Sequence, residues 1–127
     1  NRILPNDIAV TVTPQFEKME KNAKEMQYFF RYQVSIHNQS TQDVQLLKRH
    51  WIITDGNGTI EEVRGTGVVG EQPIIYKNQS FEYTSACMLK TPVGVMEGSY
   101  ELLVLRSGEK VHTPILPFTL AKPGVLN

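Results

Sequence analysis

The chain has 127 residues, its 13 basic and 13 acidic side chains cancel, and hydrophobic and charged residues make up 40% and 20% of it. That size allows one domain with a core of its own and leaves no room for two of ordinary size. Neutral balance argues against a whole-domain nucleic-acid surface, which needs a basic excess to displace counterions, and no apolar run approaches the about 20 residues of a membrane-spanning helix.

The chain begins on Asn1 rather than methionine, so residues 1–127 are expected to be a single domain cut from a longer protein. Its apolar residues recur almost everywhere with a period of two. Ile8, Val10 and Val12 alternate with Ala9, Thr11 and Thr13 up to Pro14, which predicts a half-buried strand. The next stretch, "FEKMEKNAKEMQ", dissents: Phe16, Met19, Ala23 and Met26 recur at helical spacing with Glu and Lys between them. About three turns are too few for a helix standing alone in water, so a charged, mobile loop is expected there. Tyr28, Phe30, Tyr32, Val34 and Ile36 then give the clearest strand in the chain. Val44 to Asp55 predicts another, and the change of parity between Val44/Leu46 and Trp51/Ile53 predicts a bulge within it.

Asp55-Gly56-Asn57-Gly58 is a hairpin signal, with Thr59 to Arg64 as the returning strand. Phe81, Tyr83, Ser85, Cys87 and Leu89 share one strand face, and Glu82, Thr84, Ala86 and Met88 the other. Thr91-Pro92-Val93-Gly94 breaks the pattern, Gly98 marks a bend, and Tyr100, Leu102 and Val104 alternate again. Lys110 to Ile115 and Phe118 to Leu120 form a last strand, which Pro114 and Pro117 confine to an edge or bulge. Many short strands with regular turns predict an all-β fold, an immunoglobulin- or fibronectin type III-like antiparallel β-sandwich of about seven to eight strands.

Between the hairpin and the aromatic strand lies Gly65-Thr66-Gly67-Val68-Val69-Gly70, a GxGxxG string. In a dinucleotide-binding fold such glycines follow a buried parallel strand and open a helix whose N-terminal N–H groups hold a pyrophosphate. Here Glu71-Gln72-Pro73 follows, and a proline would remove a donor from the first turn. The string is therefore expected to be a glycine-rich connection between strands, bridging the two sheets rather than feeding a helix.

Several ordered segments together carry a resemblance. "RHWIITDGNGTIEEVRGTGVVGEQPII" followed by "FEYTSACMLKTPVGVMEGSYEL" resembles the ApaG family, whose recurring text is an (R/H)-W-x-I-T hairpin, E-V-x-G-x-G-V-V-G-x-Q-P, a Y-T-S strand and T-P-x-G-x-M-x-G-x-Y. The text departs at Tyr76-Lys77-Asn78, where the family's usual turn holds Pro-Gly. The resemblance implies a fibronectin-like sandwich. It also implies a protein-binding role, since similar domains sit at the C-terminal end of some F-box proteins.

The chemistry-bearing residues point the same way. Cys87 is the single cysteine, so no internal disulfide and no cysteine-built zinc site can form. That usage fits an intracellular compartment (cytoplasm, nucleus or organelle) rather than secretion, and the sequons at Asn38, Asn57 and Asn78 are read as turn formers. His37, His50 and His112 are far apart, Ser85 lacks a nucleophile elbow, and Glu61 and Glu62 point to opposite faces of a strand. No catalytic residue, metal or cofactor is expected. The predicted function is a non-catalytic protein-protein interaction module whose candidate binding loop comprises Arg64, Gly65, Thr66, Gly67, Gly70, Glu71 and Gln72, with Arg49 and Trp51 as candidate binding surface. The alternative is a small-anion, nucleotide or pyrophosphate site, in which backbone N–H groups of Gly65 to Gly70 form a nest opposite Arg64 or Arg49.

Overall fold

A computed structural model describes residues 3–126 of the chain. After a 3-10 turn at Pro5–Asp7 the chain runs through eight strands: β1 (Ile8–Lys21), β2 (Met26–Asn38), β3 (Val44–Asp55), β4 (Ile60–Thr66), β5 (Ile74–Ile75), β6 (Ser80–Leu89), β7 (Val93–Val104) and β8 (Lys110–Ala121). They form two antiparallel sheets, one of order β1-β2-β6 and one of order β4-β3-β7-β8, with the short β5 also paired to β3. The inward faces meet in one core around Phe30, Val34, Ile36, Leu46, Trp51 and Tyr100, as the period-two reading of the sequence requires.

The dissenting stretch is neither a helix nor a loop. β1 continues through Pro14 to Lys21, turns at residues 22–25 and returns as β2, making one long hairpin. The Asn22 side chain fixes the turn, its Oδ1 accepting from the backbone N–H groups of Lys24 and Glu25 at 2.9 and 2.8 Å. A register shift between Phe16 and Lys18 changes the parity, which gave the apolar residues their helical spacing. Cross-strand partners hold the segment extended: Phe16 meets Phe30 edge-to-face at 5.6 Å, and the Lys18 ammonium sits 5.3 Å from the centre of the Phe29 ring. Pro14 is tolerated within β1 because that strand lies at a sheet edge.

The expected bulge in β3 falls between Leu46 and Lys48. Past it, Arg49, Trp51 and Ile53 take the inward face that Val44 and Leu46 occupied before it. Trp51 is 3% exposed and packs edge-to-face on Tyr32, Tyr100 and Phe118, with ring centres 5.4, 6.3 and 6.0 Å away. It belongs to the core, so its place in the predicted binding surface is corrected. β8 is continuous through both prolines, as an edge strand with its irregularity opposite Met96/Gly98. At Gly98 a Cβ would lie 1.9 Å from the His50 carbonyl oxygen, so only glycine lets β7 approach β3 there.

The hairpin after Asp55 is as predicted. Asp55 Oδ1 accepts from the N–H groups of Asn57 and Thr59, and Gly58 takes a φ of 83°. Asn38 is fully buried, its Nδ2 donating to the carbonyls of Gln42 and Ile75 at 2.7 and 2.9 Å, so this asparagine is a turn anchor and has no free amide for a glycan. At the turn where the family's text has Pro-Gly, Asn78 supplies the positive φ, 65°, that glycine would otherwise take.

Candidate functional site

The glycine segment joins β4 to β5, and both pair with the same edge of β3. It therefore runs alongside the β3 bulge within one sheet, and the expectation that it bridges the two sheets is corrected: the crossing to the other sheet comes after Ile75. No helix starts at Gly70. Val68 and Glu71 instead exchange backbone hydrogen bonds at 2.8 and 2.9 Å across a two-residue turn, while Gly67 donates to the Leu47 carbonyl at 2.8 Å. Both turn residues have positive φ, 43° at Val69 and 80° at Gly70. For glycine this is free, but for a β-branched valine it is strained backbone held by its surroundings. Gly67 has no alternative, since at its φ of 65° a Cβ would lie 2.1 Å from the Glu71 carbonyl oxygen. Val68 is 1% exposed and plugs the core, whereas Val69 stands out in solvent.

Arg49 organises the inner side of this loop. Its guanidinium reaches across β4 over Gly65, where a Cβ would lie 2.6 Å from Cζ. Gly65 thus provides the space the cation occupies. One nitrogen, Nη1, donates to the carbonyls of Thr66 and Gly67 at 3.1 and 2.9 Å. Among the described residues no carboxylate lies within ion-pair reach of Arg49. Beneath the loop, Tyr32, Tyr83 and Ser85 of the opposite sheet face Arg49 and Val68 across a cavity of about 210 Å³. The hydroxyls of Tyr83 and Tyr100 are hydrogen-bonded to each other nearby. Burial raises the pKa of Tyr32, Tyr83 and Tyr100 and outweighs the Arg49 charge, which opposes the rise in each, so all three hydroxyls stay protonated at ordinary pH.

The predicted loop residues divide by face. Gly65, Thr66 and Gly67 come together with Arg49. Arg64 points the other way, exposed on the outer face, where Glu62 Oε1 lies 3.8 Å from its Nη2 and 3.1 Å from His50 Nε2. Gln72 is structural, its Nε2 donating to the Leu47 carbonyl at 3.1 Å while its own carbonyl accepts from Gln45. Glu71 is exposed, with its backbone engaged by Val68. The N–H groups of Gly67, Val68 and Glu71 all donate to protein carbonyls, which removes them from any phosphate-holding nest. Sequence reasoning left out Tyr32, Tyr83 and Ser85. Their inward parity was readable, but which inward residue of one sheet stands above Arg49 of the other depends on how the sheets stack.

On the outer side, Arg49, Gly65 and Thr66 also border a shallow groove of about 560 Å³ together with Lys48, His50, Arg64, Ser99, Glu101 and His112, in which His112 Nε2 lies 3.3 Å from Glu101 Oε1. His37 is on the other sheet, its Nδ1 2.6 Å from Ser80 Oγ. Burial, with a smaller push from the Glu61 charge, moves the Cys87 thiol up to about 11, away from thiolate chemistry. Among the described residues no helix is long and apolar enough to cross a membrane.

Comparison with known proteins agrees with this architecture. The ApaG-domain family profile matches residues 18–104. Protein ApaG of Bordetella pertussis is 43% identical over 125 residues, covering 98% of this chain and 95% of that protein. Protein ApaG of Methylocella silvestris is 49% identical over 119 residues, covering 94% of this chain and 91% of that protein. The X-ray structure of the structural-genomics target SoR45 superposes with a TM-score of 0.94 at 42% identity, over 98% of this chain and 94% of its own. With the profile spanning most of the chain and relatives aligned nearly end to end, the chain belongs to the ApaG family.

Proposed function

We propose that this ApaG domain is a non-catalytic protein-interaction module that takes up an extended partner segment along the free edge of β6. The observation that carries the reading is the contrast among the sandwich's edges. An open strand edge offers a row of unpaired backbone N–H and C=O groups, and proteins normally blunt it with proline, charge or shortness. β1 carries Pro14 and the charged run Glu17, Lys18, Glu20 and Lys21; β8 carries Lys110, Pro114 and Pro117; β4 is short and carries Glu61, Glu62 and Arg64. β6 is 10 residues long, pairs only with β2 among the strands, and holds no proline and a single charge, Glu82. Strand addition there would draw affinity from main-chain hydrogen bonds and selectivity from the alternate side chains.

The test couples capture to mapping. Partner protein captured from a cell extract by the purified domain is added back, and amide hydrogen exchange is followed along the chain. The reading predicts new protection confined to β6 and its surroundings. It also predicts loss of capture in a Thr84→Lys/Ala86→Lys double variant, whose changes fall on exposed, outward positions. Undiminished capture by that variant, with protection elsewhere, would overturn it.

A further inference from the structure

We infer that the cavity at Arg49 is the selectivity pocket of the β6 edge, and that the segment docked there carries an Asp or Glu side chain directed inward onto the guanidinium. The inference rests on the proposed function and names the chemistry of the partner segment. Three observations converge on it.

First, Arg49 is a half-buried cation on the inward face of a sandwich, and no acidic partner is within its reach among the described residues. A guanidinium removed from much of its water without a counter-charge is unfavourable, and it is the group best shaped to take a carboxylate with two parallel hydrogen bonds. Its Nη1 is engaged by the Thr66 and Gly67 carbonyls, which fixes the plane of the group and leaves Nε and Nη2 without an acceptor among the described residues.

Second, the guanidinium lies on the side where β6 runs. Arg49 extends from β3 across Gly65 of β4, the edge strand of its sheet, and the cavity it reaches is walled on the other side by Tyr83 and Ser85 of β6. A strand added to β6 would lie about 4.8 Å beyond it. Its residue opposite Ser85 would share the inward face of Ser85 and point toward the β4 flank, where Gly65 presents no side chain to block it.

Third, the cavity fits a carboxylate-bearing side chain in size and lining. Its volume of about 210 Å³ is several times the space of one water molecule, and the hydroxyl-bearing side chains of Tyr32, Tyr83 and Ser85 are part of its lining, the Tyr83 hydroxyl being hydrogen-bonded to that of Tyr100. The exposed Val69, held at a φ of 43°, forms part of the cavity's rim and is a further apolar contact for the segment.

A display library of random nine-residue peptides, selected on the wild-type chain, on Arg49→Gln and on Gly65→Ala, tests the idea. Gly65→Ala keeps the cation but pushes its guanidinium aside by its terminal atoms, and thermal unfolding of both variants checks that the fold persists. Wild type is expected to enrich extended peptides with Asp or Glu at one fixed position, and replacing that residue by Gln should weaken binding about ten- to hundredfold. Both variants should still select β6-binding peptides, now without the acidic preference. An unchanged acidic preference on folded Arg49→Gln, or β6-binding peptides with no acidic position on wild type, overturns the inference while leaving edge docking intact. Absence of enrichment, or enriched peptides whose amide shifts miss β6, overturns the docking reading and this inference with it.

Discussion

The two flanks of the sandwich are built on opposite principles. On one, β1 packs against β8, and the aromatic ring of Phe118 closes on Tyr32 and Trp51. Both of its edge strands contain proline. On the other, β6 and β4 stand apart, with the Arg49 cavity, the strained turn at Val69 and a proline-free edge between and beside them. One flank buries apolar surface and blocks further pairing; the other keeps a half-buried cation beside a strand edge that no other strand pairs. The closed flank stabilises the fold, and the open flank is where the proposed partner segment would gain its contacts.

The contrast can be broken from the closed side with the largest effect. Trp51→Ala removes the ring shared by Tyr32, Tyr100 and Phe118, and should cost about 3–5 kcal/mol in urea unfolding. A loss under about 1 kcal/mol would mean that this cluster is not the core. Gly67→Ala acts at the open flank through the backbone, since its Cβ would meet the Glu71 carbonyl at a φ of 65°. The expected cost is about 2 kcal/mol or more, with amide shifts centred on residues 65–72.

Next in size comes a pH effect. The Cys87 thiol holds its proton more tightly folded, at about 11, than its ordinary 9.0. Its stabilising effect is therefore complete below pH 9 and is lost as pH rises from there through about 11. The tyrosines Tyr32, Tyr83 and Tyr100, also raised by burial, add to the loss above their ordinary 10.0. The urea midpoint of wild type should fall above pH 9, and Cys87→Ala should stay flat until the tyrosines titrate; equal slopes between 9 and 10 would refute the assignment. The smallest change sharpens the comparison. Val69→Asn places a residue that tolerates left-handed backbone in the turn and should raise stability by up to about 1 kcal/mol, whereas a loss would show that the valine's packing outweighs its strain.

How much of this was readable follows from the range of each signal. Parity along one strand is local, so the β3 bulge, the Asp55–Thr59 hairpin and the edge position of the proline-bearing β8 were legible in residues a few positions apart. The stretch from Phe16 to Met26 misled because a one-residue shift after Phe16 imitates helical spacing, and the aromatic partners that hold it extended, Phe29 and Phe30, lie on the next strand. Gly65 to Gly70 announced a loop but not its course, since only the pairing of β5 with Val44 and Gln45 shows that the loop stays in one sheet. At the site, Arg49 and Gly65 were singled out by type. Their relation to Tyr83 and Ser85 joins residues about 20–35 apart across two sheets, and no local pattern encodes that stacking.

The central claim is that the outer edge of β6 is unpaired and accessible in the free chain. Amide hydrogen exchange resolved along Ser80–Leu89 tests it most directly. The account predicts alternation, with every second β6 amide bonded to β2 and protected while its neighbours exchange at rates close to those of exposed loops. Uniform protection along the strand would contradict it, because the edge would then already be covered.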